Sequence, residues 1–236
     1  MTDRLYFRQL LSGRDFAVGD PIATQMVNFA YLIGDRETRE AVIVDPAYAV
    51  GDLLDVLAAD DMRLTGVLAT HHHPDHVGGS MMGYTLAGLA ELLARQPVPV
   101  HVNRNESEFV QRVTGLSGTE LTGHDHDDIV RVGEVPIRLL HTPGHTPGSQ
   151  CFLVDGRLVA GDTLFLEGCG RTDFPGGDPE AMYHSLRALA GLDGDPVVYP
   201  GHQYSAAPSA PLSSVRDNNY VYRPRSLDEW KMMFGY

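Results

Sequence analysis

The sequence predicts an α/β protein of two similar layers, sheet packed on sheet with helices outside. Three observations carry this. Each half of the chain shows hairpin, strand and helix material. Short apolar runs that read as strands alternate with segments of helical spacing. His or Asp residues stand just past the ends of four strands, each beside Gly or Pro. Side chains so placed converge in a crevice at the strand C-termini.

The elements follow in order. Met26 to Ile33 and Ala41 to Val44 are apolar runs separated by Gly34-Asp35-Arg36-Glu37, a hairpin pattern. Asp52 to Ala59 carries Leu53, Leu54, Val56 and Leu57 at helical spacing. Leu64 to Ala69 reads as a buried strand, Leu86 to Ala94 as a helix, Val98 to Val102 as a strand and Glu106 to Val113 as a helix. Ile129 to Val132 pairs with Val135 to Leu140. Cys151 to Val154 pairs with Arg157 to Ala160 through a turn at Asp155-Gly156. Pro179 to Ala190 is a helix with Pro in its first turn. Val197 to Tyr199 is a short strand. Ser226 to Phe234 closes the chain as a helix, with Ser226 as N-cap and Glu229 completing a capping box.

The chain has 236 residues, 43% of them hydrophobic, enough for one domain over 1–236 with a sizeable core. Its formal charge of −13 argues against nucleic acid or an anionic membrane surface as partner. A small anionic substrate is still allowed, because a metal reverses the local sign. Two cysteines cannot build a disulfide framework. No signal peptide or membrane-length apolar run is seen, so a cytoplasmic location is expected. The reading allows a homodimer.

The segment Thr70-His71-His72-His73-Pro74-Asp75-His76 is the strongest chemical signal. Imidazole is the commonest ligand for divalent transition metals, and Asp adds a charged oxygen. Pro74 disfavours helix at His73, so the segment reads as a loop that wraps its donors around a small volume. Further donors follow in His141-Thr142-Pro143-Gly144-His145, Gly161-Asp162-Thr163 and Pro200-Gly201-His202.

These four motifs, in this order, resemble those of the metallo-β-lactamase superfamily. Thr70 to His76 matches its signature Thr-His-x-His-x-Asp-His. The resemblance implies an αββα fold with a metal site at one edge of the sheets. Carried over by residue, it implies one metal on His71, His73, His145 and Asp162. A second would sit on Asp75, His76 and His202, with Asp162 shared. Zinc is the first expectation, iron or manganese the alternatives. Two such ions about 3.5–4 Å apart would hold a hydroxide that is nucleophilic at neutral pH.

Gly168-Cys169-Gly170-Arg171-Thr172-Asp173-Phe174, Tyr183-His184-Ser185 and Tyr199 to Tyr204 resemble the glyoxalase II-like hydrolases and especially the persulfide dioxygenases. The resemblance implies one of two reactions. In the first, a bridging hydroxide attacks a thioester, oriented by Asp75, with Asp162 as bridge. In the second, a single iron on His71, His145 and Asp162 oxidises a thiol persulfide with oxygen. Retention of all seven donors argues against a non-catalytic or sulfur-carrier role.

Two segments depart from the family pattern. Residues 77–97, with Gly78-Gly79 and Met81-Met82-Gly83, are longer and read either as a lid or substrate wall or as a packing elaboration. The tail 203–236 is short for glyoxalase II, with Arg216, Arg223, Arg225, Tyr220 and Tyr222 as the nearby candidates for thiol binding. Glutathione, another low-molecular-weight thiol or an acyl carrier all stay open. Arg171 and Tyr204 are the candidate substrate contacts. For Arg171 the competing role is an ion pair with Asp173 or Asp178. His72 reads as packing or support for the ligands. His141 reads as structural, and His124 and His126 as a surface turn. His101 and His184 read as core or surface, Cys151 as core and Cys169 as packing.

Overall fold

The computed structural model describes residues 4–235. In chain order its elements are β1 (Leu5–Leu11), α1 (Pro21–Met26), β2 (Phe29–Asp35), β3 (Glu40–Val44), α2 (Val50–Ala59), β4 (Arg63–Leu68), α3 (Pro74–Val77), β5 (Gly79–Met81), β6 (Tyr84–Leu86), α4 (Leu89–Arg95), β7 (Val100–Asn103), α5 (Ser107–Thr114) and β8 (Leu121–His124). There follow β9 (Ile129–Val132), β10 (Val135–His141), β11 (Gln150–Val154), β12 (Arg157–Gly161), α6 (Pro179–Ala190), β13 (Val197–Pro200), β14 (Ala210–Pro211), α7 (Leu212–Asn218) and α8 (Leu227–Phe234).

Two mixed six-stranded sheets result, in the orders β1-β2-β3-β4-β7-β8 and β14-β13-β12-β11-β10-β9. Their inner strands are apolar on both faces because both faces are covered. On β2, Phe29, Tyr31 and Ile33 face the second sheet, while Ala30 and Leu32 face the helices. Ile137, Leu139, Phe152 and Val159 of the second sheet meet the first group in the middle layer. α2 buries Val50, Leu53 and Leu57, one stripe at helical spacing, on the outer face of the first sheet. α6 buries Met182, Leu186 and Leu189 on the outer face of the second, with α7 and α8 beside it. The layers are therefore helix, sheet, sheet, helix, the expected αββα sandwich.

Asp35, at the end of β2, ties the sheets together. It is fully buried and accepts from Arg4 Nε (2.9 Å), Glu37 N (2.9 Å) and Glu134 N (2.8 Å), the last from the turn between β9 and β10. Burial alone would raise its pKa, but these donors hold it down at about 2. A carboxylate depressed on folding stabilises above its unfolded pKa, and the gain is lost as pH falls toward the folded value. Asp35→Asn is expected to cost about 1–2 kcal/mol at pH 7. The gap to the parent protein should close as pH falls from about 4 to 2. Thermal melts of both proteins across that range check this, and a gap independent of pH would contradict it.

Several expectations are corrected. The first strand of the hairpin begins at Phe29 rather than Met26, because Met26 ends α1 and Val27 turns left-handed at φ 49°. α1 itself carried a readable start, with Asp20 as N-cap and Pro21 at its first position. Leu86 ends β6, so the helix expected from it begins at Leu89. The donor segment is not all loop. His73 is extended (φ −63°, ψ 143°), as a residue before Pro should be, but Pro74 then starts the helical turn α3 that carries Asp75 and His76. The capping box at the last helix is half formed. Ser226 accepts from Glu229 N (3.2 Å), but Glu229 reaches back to Arg225 N (2.7 Å).

Candidate metal centre

The four strands β4, β10, β12 and β13 end on one side of the sandwich, and the donors follow their last residues. Three donor groups come together: His71, His73 and His145; His71, His76 and Asp162; and Asp75, His76 and His202, the donor atoms of each lying within 4.8 Å of one another. In the first, His73 Nδ1 is 3.1 Å from His71 Nε2 and 3.0 Å from His145 Nε2. In the last, His202 Nε2 is 3.3 Å from His76 Nε2 and 3.5 Å from Asp75 Oδ2. Asp162 lies between them. Its Oδ1 is 3.4 Å from His76 Nε2, and its Oδ2 is 3.3 Å from His202 Nε2 and 3.7 Å from His145 Nε2.

The outward ring nitrogens fix these orientations. His145 Nδ1 donates to Arg171 O (2.6 Å), His202 Nδ1 to Met26 O (2.7 Å) and His76 Nδ1 to Asp45 Oδ2 (2.9 Å). Thr70 Oγ1 donates to Asp45 Oδ2 (2.6 Å), which leaves it to accept from His71 Nδ1 (3.0 Å). Each of these rings then aims its Nε2 inward. His71 and His145 both aim at His73 Nδ1, which can share a proton with only one of them.

This donor set fits a metal. A tetrahedral zinc with bonds of about 2.0–2.1 Å needs nitrogens roughly 3.3 Å apart. Asp162 is buried, yet its Oδ1 has no hydrogen-bond partner among the described residues, which a cation would supply. Burial, then the neighbouring imidazoles, holds His71 well below its ordinary pKa and pushes His73 down to about 3, while burial also lowers His145. These rings are neutral and ready to ligate. Against burial, Asp162 and Asp75 raise His76, to about 10 with help from Asp45, and Asp162 raises His202. Asp162 is held far below the carboxylate range, against its burial, by His202, His76 and His145. Metal entering beside His76 therefore displaces protons.

Close backbone approach makes room for this. A side chain at Gly201 would overlap Asp162 Oδ1, and one at Gly170 would overlap the His145 ring and Asp162 O.

Three buried polar residues were not singled out from the sequence. Asp45 accepts from Thr70 N (2.8 Å), Thr70 Oγ1 and His76. Asn28 Nδ2 lies 3.1 Å from Asp75 Oδ2, and its Oδ1 accepts from Tyr48 OH (2.8 Å). Glu106 accepts from His72 N (2.8 Å), the His72 ring (2.5 Å) and Gly148 N (2.7 Å), tying together the two loops that carry His73 and His145.

The other candidates fall as follows. His72 rests on Glu106 and stacks on Phe109. His141 Nε2 donates to Pro147 O (2.9 Å), a structural position. His101 Nδ1 is 2.9 Å from His124 Nε2, and His126 and His184 are exposed. Cys151 is core, and Cys169 is partly buried beside the cavity. Arg171 Nε and Nη2 lie 2.8 and 2.5 Å from Asp173, with the guanidinium over Phe174. Tyr204 stacks flat on His202, ring centroids 4.8 Å apart. Arg216, Arg223 and Arg225 are exposed and do not line the cavity, whereas Tyr220 does.

The cavity over the donors has a volume of about 740 Å³. The β5–β6 hairpin brings Met81 and Met82 to the cavity wall, while α4 buries Leu89, Leu92 and Leu93 in the core. No helix among the described residues is long and apolar enough to cross a membrane.

Residues 23–202 match the Metallo-beta-lactamase superfamily. The chain is 32% identical over 198 residues to a probable polyketide biosynthesis zinc-dependent hydrolase, BaeB, of Bacillus velezensis, covering 83% of this chain and 82% of that one. It is 42% identical over 183 residues to a hydroxyacylglutathione hydrolase of Alkalilimnicola ehrlichii, covering 76% of this chain and 63% of that one. It is 35% identical over 182 residues to the human mitochondrial persulfide dioxygenase ETHE1, covering 75% and 64%. The crystal structure of ETHE1 from Myxococcus xanthus superposes with a TM-score of 0.79 at 31% identity, covering 98% of this chain and 90% of that one.

Proposed function

Since this chain belongs to the metallo-β-lactamase superfamily, in the branch of the hydroxyacylglutathione hydrolases and persulfide dioxygenases, we propose that it is a thioester hydrolase. We take 1–236 as one catalytic domain holding two divalent ions, zinc before iron or manganese. His71, His73 and His145 would hold one ion, Asp75, His76 and His202 the other, with Asp162 shared. The observation that carries this reading is Asp162, set between two donor groups with one buried oxygen lacking a hydrogen-bond partner among the described residues.

Bound metal would supply a hydroxide at neutral pH and polarise the substrate carbonyl. The chain's own residues do the rest. Asp75, steadied by the Asn28 amide, holds and orients the attacking water. The leaving thiol has an ordinary pKa of about 8.5, so no dedicated general acid is needed. Neither cysteine competes as nucleophile. Burial pushes the Cys151 thiol up to about 11 and that of Cys169 up to about 12. Phe165 and Phe174, against His202 and His73, shield the donors from bulk water.

The second reading is an iron persulfide dioxygenase using His71, His145 and Asp162. What favours it is the 168–174 loop, whose Arg171 carbonyl holds His145, together with the superposition on the Myxococcus xanthus ETHE1 structure. Elemental analysis and two assays separate the readings. The hydrolase reading expects two ions per chain and thiol release from S-lactoylglutathione or another thioester without oxygen. One iron per chain, with oxygen uptake on glutathione persulfide and no thioester cleavage, would overturn it.

A further inference from the structure

Resting on the hydrolase reading, we infer that the part of the substrate beyond the thioester is an uncharged, largely apolar chain rather than a multiply charged thiol such as glutathione. The walls carry this. Met81, Met82, Val113, Phe165, Phe174 and Tyr204 line the cavity. Several of these side chains touch the donor imidazoles themselves. Phe174 lies edge-on to His73 at 5.6 Å, Phe165 edge-on to His202 at 6.1 Å, and Tyr204 covers His202. A substrate reaching the donors therefore passes between apolar surfaces.

The hairpin is built to present such a surface. Met81 pairs with Tyr84 across a two-residue turn, Met82-Gly83, in which both residues have positive φ (52° and 83°). Gly suits that geometry, but Met does not. The Met82 side chain is nonetheless held there, 82% exposed, at the cavity mouth. Methionine is flexible and polarizable, and it fits apolar partners of varied shape.

Charge points the same way. Glutathione brings two carboxylates, which need cations. Among the described residues, the one Lys or Arg lining the cavity is Arg171, and its guanidinium fork is engaged bidentately by Asp173. Glu167 also lines the cavity and would repel a carboxylate. A volume of about 740 Å³ is ample for a medium-length chain.

The test is calorimetric titration of the metal-loaded protein with inert thioethers. S-alkyl-N-acetylcysteamines and S-alkylglutathiones from two to eight carbons are compared, so that binding is read without turnover. Kd should fall roughly threefold to fourfold per methylene until the cavity fills. The same alkyl chain should bind no tighter on glutathione than on N-acetylcysteamine. Met82→Asp, at an exposed position, should weaken the octyl compound roughly tenfold and leave the ethyl compound unchanged. Tenfold tighter binding of the glutathione series, or a Kd insensitive to chain length, would overturn the inference. Thiol release from the matching thioesters reports separately on hydrolysis. Chain-length-dependent binding without release would sink the hydrolase reading and leave the apolar recognition in place.

Discussion

Asp162→Asn is expected to lower thioester turnover by roughly 10²–10³-fold or more and to reduce bound metal from the proposed two ions to at most one. The substitution keeps the shape of the side chain and removes its charge. That charge works on both donor groups, because Asp162 approaches His76 through one oxygen and His202 and His145 through the other. An amide can offer its single oxygen to only one side and would turn N–H groups toward the other. His76 and His202 also lose the carboxylate that chiefly offsets their burial, so the variant should be less stable without metal. Elemental analysis of the purified variant, its melting temperature with and without added zinc, and its turnover at saturating zinc check the three claims together. Unchanged stoichiometry would contradict a shared position for Asp162 even if turnover fell.

The reach of the sequence can be judged residue by residue. The inner strands were legible because both their faces are covered, which forces continuous apolar runs such as Ala41 to Val44. Placement of the donors was legible for a related reason. Their positions are local, each just after a strand, and strand C-termini in such sandwiches share an edge. What escaped was short or non-local. β1 interrupts its apolar residues with Arg8 and Gln9, because its middle is less buried than its ends. β8 is short and only partly buried, so no clear pattern marks it. Pro74 was read only as a helix breaker, although a missing N–H costs nothing at a first helical position.

The residues that hold the ligands escaped for a deeper reason. Asn28, Asp45 and Glu106 are single polar residues in ordinary contexts. Asp45 follows a strand as many turn residues do, and it meets Thr70 and His76 only through contacts 25 and 31 residues away. Glu106 meets Gly148 across 42 residues. A ligand motif is compact in sequence because several donors must reach one ion. The residues that set ring orientation need only one contact each, and the fold can supply it from anywhere.

Asp45 is where that difference is best tested. Asp45→Asn is expected to weaken metal binding about 10–100-fold, as loss of a partner to a ligating histidine does, with much of the turnover restored at saturating metal. Asp45 sits at φ 53°, in the left-handed region, and Asn tolerates that conformation as well as Asp does. The backbone is therefore not what the substitution probes. In the parent protein Asp45 offers acceptors only, to Thr70 N, Thr70 Oγ1 and His76 Nδ1. An Asn must turn its NH₂ toward one of them. If it faces His76, the ring loses its acceptor and the Nδ1–H tautomer that leaves Nε2 free to ligate loses its support. If it faces Thr70 N, two donors oppose each other in a buried site. Either orientation also disturbs Thr70, through which Asp45 steadies His71, so one carboxylate acts on a ring in each donor group. Titration of the metal-free variant with zinc in competition with a chelator measures the affinity. An unchanged affinity, with melting temperature also unchanged, would mean that packing alone orients His76 and His71.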